Sequence, residues 1–201
     1  MVGEMAFRVR LGTAAVILLG SLLFSTAAFA RGATALAFAG GNAAERSQVT
    51  KALGASSFDW SLLPTRVTVH IGRGFDSEAA PGEVWLDADV LDAGRFSWGV
   101  VQHEFAHQVD FQLLDAETRA RFALLLGGSA WCGGTLAVAH ADYGCERFAS
   151  TLAWSYWPSA GNCMKPTSSL DESAAMAPAA FRAVLAEALH IPIPTNMRWT
   201  A

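Results

Sequence analysis

Apolar residues recur every three or four positions over five stretches of the chain, a spacing that places them on one face of a helix. Glycine or proline marks the boundary of most of these stretches, because neither residue favours the interior of a helix. The predicted helices cover residues 43–54, 97–114, 116–126, 145–157 and 178–189.

Two shorter segments predict strands. In residues 66–71 (RVTVHI) apolar and polar residues alternate, which is typical of a half-buried strand, and residues 83–87 (EVWLD) predict a second one. Residues 80–82 (APG) between them predict a turn. Because the strands come before most of the helices, we expect the α+β class, with a small sheet covered by a helix and followed by a helical half.

The first thirty residues have a composition of their own. Arg8 and Arg10 precede an almost wholly apolar run over residues 11–28, and Ala28-Phe29-Ala30 supplies small residues at the two positions that determine cleavage. A charged start, an apolar run and a small-residue site are typical of a secretory signal peptide. We therefore predict a signal peptide over residues 1–30.

The remaining 171 residues, from position 31 to position 201, predict a single domain, since about 150 residues is the usual domain size. We expect this domain to be secreted and free of the membrane after cleavage. If the signal stayed uncleaved, residues 11–30 would be long enough to anchor the protein in a bilayer.

The composition is that of a packed globular protein. Hydrophobic residues make up 52% of the chain and charged residues 16%, a balance that excludes an intrinsically disordered protein. The net charge is -4 and no basic run or stripe occurs, so we do not expect nucleic acid as a partner.

All three cysteines, Cys132, Cys145 and Cys163, lie in the predicted domain. In an oxidising compartment two of them are expected to pair, while the third stays free or bridges to another chain. The sequence leaves the three pairings open, and it leaves the oligomeric state open as well. The spacing contains no C-x-x-C, so a zinc site built from cysteines alone is disfavoured.

The helix predicted over residues 97–114 contains His103-Glu104-Phe105-Ala106-His107, an H-E-x-x-H pattern. Four residues of helix turn through roughly 400°, so the two imidazoles lie on one face, a turn apart, and can bind one metal ion. Glu104 lies beside them and can reach a water on that ion. This arrangement is typical of zinc hydrolases and predicts Zn²⁺ as the cofactor.

A catalytic zinc usually takes three protein ligands and keeps a fourth position for water, so a third ligand is expected downstream. The metzincin extension H-E-x-x-H-x-x-G-x-x-H is excluded, because Asp110 stands at its glycine and Leu113 at its last histidine. The candidates are His140, Asp142 and Glu146.

Glu146 is the preferred candidate, because it opens a helix-like segment that can lie alongside the first helix, and Ala149 is small enough to let the two approach. His140 is the alternative ligand. Asp110 follows His107 by three residues on the same helical face, so we expect it to accept the second ring N–H of a ligand histidine.

Three segments carry a resemblance to a known family: HEFAHQVD at 103–110, Leu113-Leu114-Asp115, and ERFA at 146–149. They resemble the gluzincin metallopeptidases and are most similar to the catalytic domain of anthrax lethal factor and its relatives, whose signature is H-E-F-G-H-x-V-D with a downstream E-x-F-A. The resemblance covers residues 103–150. It implies a zincin-like fold with an antiparallel edge strand above the metal that pairs with substrate, and residues 83–87 are the matching candidate.

Carried over by position, the resemblance implies His103, His107 and Glu146 as zinc ligands and Glu104 as the general base. It predicts a secreted zinc metallopeptidase that hydrolyses bonds of a peptide or protein substrate. Two alternatives stay open: a catalytically weak or silent zinc-binding module, and a zinc amidase that acts on cell-wall peptides.

The chain departs from the family pattern at two positions. The family commonly places an oxyanion-stabilising tyrosine about two turns before the third ligand, where this chain has Ala139. Tyr143 is the catalytic residue we name in its place, with His140 as the other candidate. An acidic residue often follows the third ligand at the next turn, where this chain has Ser150.

Overall fold

Four short strands form one sheet: β1 (Leu36–Gly40), β2 (Val67–Gly72), β3 (Glu78–Ala80) and β4 (Glu83–Asp87). The computed structural model describes residues 35–132 and 138–192. The strand order is β1-β2-β4-β3, in which the first three are mutually parallel and β3 pairs antiparallel with β4 at one edge. The predicted signal peptide lies outside the described residues.

The described residues contain six α-helices: α1 (Ala43–Ala55), α2 (Ala88–Asp92), α3 (Trp98–Leu113), α4 (Ala116–Leu126), α5 (Gly144–Tyr156) and α6 (Pro178–Ala188). Helix α1 connects β1 to β2, as a parallel pair of strands requires. A small sheet combined with helices confirms the predicted α+β class. The five helices predicted from apolar spacing are all present, with ends that agree to within one residue.

One expectation about the strands is wrong, and two strands were not predicted. The segment 83–87 is a strand with the predicted bounds, but β4 is an interior strand that pairs with β2 on one side and β3 on the other. The sheet ends at β1 on one side and at β3 on the other, and β3 is the antiparallel edge strand. Its three residues are too few to show an alternating pattern. Strand β1 was also missed, because LAFAG contains no β-branched residue and does not alternate.

The core lies between the sheet and the helices, and α3 runs through it. Val67, Val69 and Ile71 of β2 are buried on the helix-facing side of the sheet, as the alternation predicted. Helix α3 packs against α1, β3 and α5, and every residue from 101 to 110 is buried. A helix buried on all sides is held in a fixed position relative to its neighbours, and α3 carries the H-E-x-x-H pattern.

A single glutamine attaches the edge strand to α3. The Gln108 side-chain N–H groups donate to the backbone oxygens of Ala80, at 2.8 Å, and Glu83, at 3.0 Å. Its side-chain oxygen accepts from the backbone N–H of Gly82, at 2.9 Å. Gln108 is fully buried, so these three bonds are shielded from water. The β3–β4 turn is therefore fastened to the helix that carries the motif.

Replacing Gln108 by Leu should lower the free energy of unfolding by about 2–4 kcal/mol, because three backbone groups of the turn lose their partner. Urea denaturation followed by circular dichroism measures this change. Gln48→Leu, at a half-buried position of α1 where the side chain accepts a hydrogen bond from the indole N–H of Trp98, is the control, with an expected change of about 1 kcal/mol. Equal losses in the two variants would show that Gln108 has no special role in holding the strand.

Candidate metal centre

The two histidines of the motif lie side by side on α3. Their Nε2 atoms are 3.2 Å apart and the rings meet edge to face. Both side chains are buried, with only a small part of each ring open to solvent. This is the arrangement expected for residues one helical turn apart.

Glu146 comes to this pair from the first turn of α5. Its Oε2 atom lies 3.1 Å from Nε2 of His103 and 3.3 Å from Nε2 of His107. Ala149 is fully buried where α5 packs along α3, and its small side chain permits the close approach of the helices. The three predicted ligands are therefore brought together as one group that could hold a metal ion.

The carboxylate and the imidazoles of this group shift one another's pKa values. Burial would raise the pKa of Glu146, but hydrogen bonds from His103 and His107 outweigh it and hold that pKa well below its ordinary value. Burial would likewise lower the pKa of His103, yet its bond to Glu146 and the nearby charge of Glu104 raise it. A metal ion bound here would replace these protons and would have one carboxylate and two imidazoles as donors.

Glu104 occupies the position next to the first histidine and is only 5% exposed. Burial raises the pKa of its carboxyl group, and the neighbouring His103 and His107 offset this effect only in part. The negative charges of Glu146 and of Glu78 in β3 raise it further. A carboxylate with a raised pKa beside a metal group has the properties of a general base.

A hydrogen-bonded chain supports His103 from behind. Its Nδ1 atom lies 3.1 Å from Oγ of Ser150, which is buried in α5. The Ser150 hydroxyl donates to Oε2 of Glu172, at 2.7 Å. At position 150, where the resemblance led us to expect an acidic residue, the serine is thus hydrogen-bonded to an acidic side chain.

Sequence reasoning missed Glu172. It begins a short 3₁₀ turn (Glu172–Ala174) in the segment between α5 and α6, where the sequence has no apolar periodicity. Glu172 also contacts His140, whose Nδ1 atom lies 2.9 Å from its Oε1. The local sequence does not predict a role for Glu172, because only the packing of this turn against α5 brings the residue to the site.

The alternative third ligands differ in their positions. His140 places its Nε2 atom 3.4 Å from Oε2 of Glu146, although its side chain is 70% exposed. Asp142 faces Arg147, with 3.9 Å between the charged atoms.

The Tyr143 hydroxyl accepts a hydrogen bond from the backbone N–H of Val138, at 3.4 Å. The catalytic role named for Tyr143 stays a prediction.

The hydrogen bonds of Asp110 go to partners other than a ligand histidine. Its carboxylate accepts from Nε of Arg119, at 2.6 Å, and from the indole N–H of Trp131, at 3.1 Å. Asp110 thus ties α4 and the segment that follows it to α3. These bonds position the elements around the metal group and give Asp110 a structural role.

Two of the three cysteines stand at disulfide distance. The Cα atoms of Cys132 and Cys145 are 5.6 Å apart, whereas Cys163 lies elsewhere. Cys132 Sγ is 3.4 Å from Oε1 of Glu146, so this pair adjoins the metal group. Burial raises the pKa of the Cys163 thiol, which makes it a poor nucleophile.

Comparisons with protein-family models, with curated proteins and with solved structures gave no match to this chain. In the parts of the chain that the structure describes, no helix has both the length and the apolar character needed to cross a membrane.

Proposed function

We propose that this protein is a zinc-dependent metallopeptidase with a zincin-like fold, in which a zinc ion is held by His103, His107 and Glu146. The observation that carries the proposal is the convergence of these three side chains on one point, with the buried carboxylate of Glu104 beside them. The residues come from α3 and α5, two helices that the spacing of apolar residues predicted.

The spacing of the donor atoms supports zinc as the ion. Ligands bound tetrahedrally at 2.0–2.1 Å from zinc lie about 3.3 Å from one another. The separations among the two Nε2 atoms and the Glu146 oxygen are 3.1, 3.2 and 3.3 Å. Two imidazoles and one carboxylate are also the ligand types of a catalytic zinc site that keeps a fourth position open.

Zinc held there would supply Lewis acidity, polarising a carbonyl oxygen and acidifying water. Glu104 accepts a proton from the attacking water and returns it to the amine nitrogen as the C–N bond breaks. Burial prepares Glu104 for both steps, since a raised pKa lets the carboxylate take a proton and then release it. The reaction is hydrolysis of an amide bond.

The edge strand supports an extended peptide as the substrate. In the described part of the chain, β3 ends the sheet on the side opposite β1, and it packs on α3, the helix that carries the motif. The unpaired edge of such a strand can bind the main chain of a peptide by strand addition. Gln108 keeps this edge at a constant distance from the histidines.

The compartment belongs to the proposal as well. We infer from residues 1–30 that the protein is exported and processed, which agrees with a pair of cysteines at disulfide distance. The substrate is then a peptide or protein met outside the cell.

Metal content tests the proposal. The purified protein is dialysed against metal-free buffer and measured by elemental mass spectrometry, and we expect one zinc per chain. A protein that retains no zinc, even after zinc is added back, would overturn the proposal. Casein and cell-wall peptide fragments are then compared as substrates. Cleavage of the cell-wall fragments alone would identify an amidase. A protein that holds one zinc per chain and cleaves neither substrate would be a silent zinc-binding module.

A further inference from the structure

One carboxylate outside the motif contacts one imidazole of the site directly and reaches a second through a serine hydroxyl. Oε2 of Glu172 accepts the hydroxyl proton of Ser150, at 2.7 Å, and Oε1 of the same residue lies 2.9 Å from Nδ1 of His140. The Glu172 side chain is 19% exposed and that of His140 is 70% exposed, so the contact with Ser150 is the more shielded of the two. None of the three segments that carry the family resemblance contains Glu172.

The first contact determines which nitrogen of His103 carries its proton. A serine hydroxyl has one proton, and that of Ser150 is donated to Glu172, which leaves the oxygen to accept from Nδ1 of His103, at 3.1 Å. With the proton on Nδ1, the lone pair of Nε2 faces His107 and Glu146, where the metal group lies. Such outer partners fix the tautomer and the orientation of a ligand imidazole.

The second contact orients His140. A carboxylate only accepts hydrogen bonds, so Nδ1 of His140 donates to Glu172 and Nε2 is the ring atom turned toward the site. That atom lies 3.4 Å from Oε2 of Glu146, and the side chain is 70% exposed. His140 therefore stands at the open side of the metal group, where an arriving substrate can reach it.

We propose that Glu172 is a positioning residue that serves both imidazoles: through Ser150 it holds His103 as a zinc ligand, and directly it holds His140 as a second catalytic residue. When both ring nitrogens of His140 carry a proton, Nδ1 donates to Glu172 and Nε2 donates to the carbonyl oxygen of the reacting amide, where negative charge develops as water attacks. This inference rests on the proposed function, because it assumes a zinc site and an amide substrate. It adds two residues to the reaction, one of which no sequence pattern indicated.

The same atoms offer a competing interpretation. His140, Glu146 and Glu172 could together bind a second metal ion, since one donor atom from each lies within 4.8 Å of the others. In that case His140 and Glu172 would be ligands and would not meet the substrate. A count of two zinc ions per chain in the wild-type protein, reduced to one in Glu172→Gln, would establish this interpretation and overturn ours.

Three variants separate the two branches. Ser150→Ala interrupts the branch to His103, His140→Ala removes the other branch, and Glu172→Gln removes the charge that both share. Glu187→Gln is the matched control, because Glu187 is an exposed residue of α6 that forms an ion pair with Arg121 of α4. Zinc affinity is measured by competition with a chromophoric chelator, and kcat and KM are measured on a peptide substrate at saturating zinc.

We expect Ser150→Ala to weaken zinc binding by roughly 10–100-fold. His140→Ala should bind zinc like the wild type and lose roughly 100-fold or more in kcat, with a smaller change in KM. Glu172→Gln should show both effects, and Glu187→Gln neither. Because zinc affinity is read without turnover, the first result does not depend on finding the right substrate.

The outcomes also separate this inference from the proposed function. If the wild-type protein binds no zinc, both the proposed function and this inference are wrong. If the wild type binds one zinc and cleaves peptides while Glu172→Gln matches it in affinity and kcat, the inference alone fails. Thermal unfolding of the metal-free variants shows whether a loss of affinity comes from misfolding, and a metal-free Glu172→Gln protein that is unfolded would assign Glu172 to the fold.

Discussion

Replacing Glu104 by Gln is expected to reduce kcat by roughly 10²–10⁴-fold while zinc stays bound, because the amide cannot accept the proton of the attacking water. The two side chains have the same shape, so His103 and His107 keep their positions. Glu104 is buried and the pKa of its carboxyl group is raised, so a neutral amide fits this position without added cost of burial. Peptide hydrolysis and elemental analysis on the same preparation measure both quantities.

The control for this variant is Glu117→Gln, since Glu117 is exposed in the first turn of α4. It should retain wild-type turnover and zinc. A Glu104→Gln protein that keeps its zinc and turns over substrate within tenfold of the wild type would remove Glu104 from the mechanism. A protein that loses zinc together with activity would instead give Glu104 a structural part in the metal group.

The second large effect is expected at Glu146, whose replacement by Ala should abolish the retention of zinc through dialysis. The carboxylate lies within 3.3 Å of both imidazoles, so its loss removes a donor and the negative charge that balances the cation. The affinity should fall by more than the roughly 10–100-fold caused by loss of an outer partner of a ligand. Chelator competition measures the dissociation constant, and circular dichroism establishes that the helices remain.

Asp142→Ala is the matched control, because this carboxylate belongs to the same segment and faces Arg147. It should leave zinc affinity unchanged. If Glu146→Ala instead bound zinc as tightly as the wild type, Glu146 would not be a ligand. His140, the alternative ligand from the sequence, would then be tested by the same measurement, since its Nε2 atom lies 3.4 Å from Oε2 of Glu146.

The helices could be predicted because their apolar residues recur over many turns and their ends carry glycine or proline. Strand β4 was predicted with the right bounds, but its place inside the sheet was not, because position in a sheet depends on which other strands exist. Strand β3 has three residues, two of them alanine, and α2 has five, so neither is long enough to show a period. Short elements are determined by the packing around them.

In the site, too, local sequence determines some residues' positions and packing determines the others. His103, Glu104 and His107 could be predicted because helix geometry alone sets their arrangement. The approach of Glu146 required α5 to pack along α3, which Ala149 and the helical pattern suggested. The Ser150–Glu172 chain could not be predicted, because it joins a helix to a 3₁₀ turn more than twenty residues later and depends on side-chain placement.

The attachment of the edge strand to the motif helix has a consequence for how such an enzyme can diversify. Gln108 follows His107 directly in α3. One of these residues would bind the ion, and the next holds the strand that would guide a substrate. Both positions are therefore set by the same helix. On the proposed function, the depth at which a peptide lies above the ion would not depend on the loop over residues 73–77. Insertions in that loop would then reshape side-chain selectivity while the bond presented for cleavage stays in register.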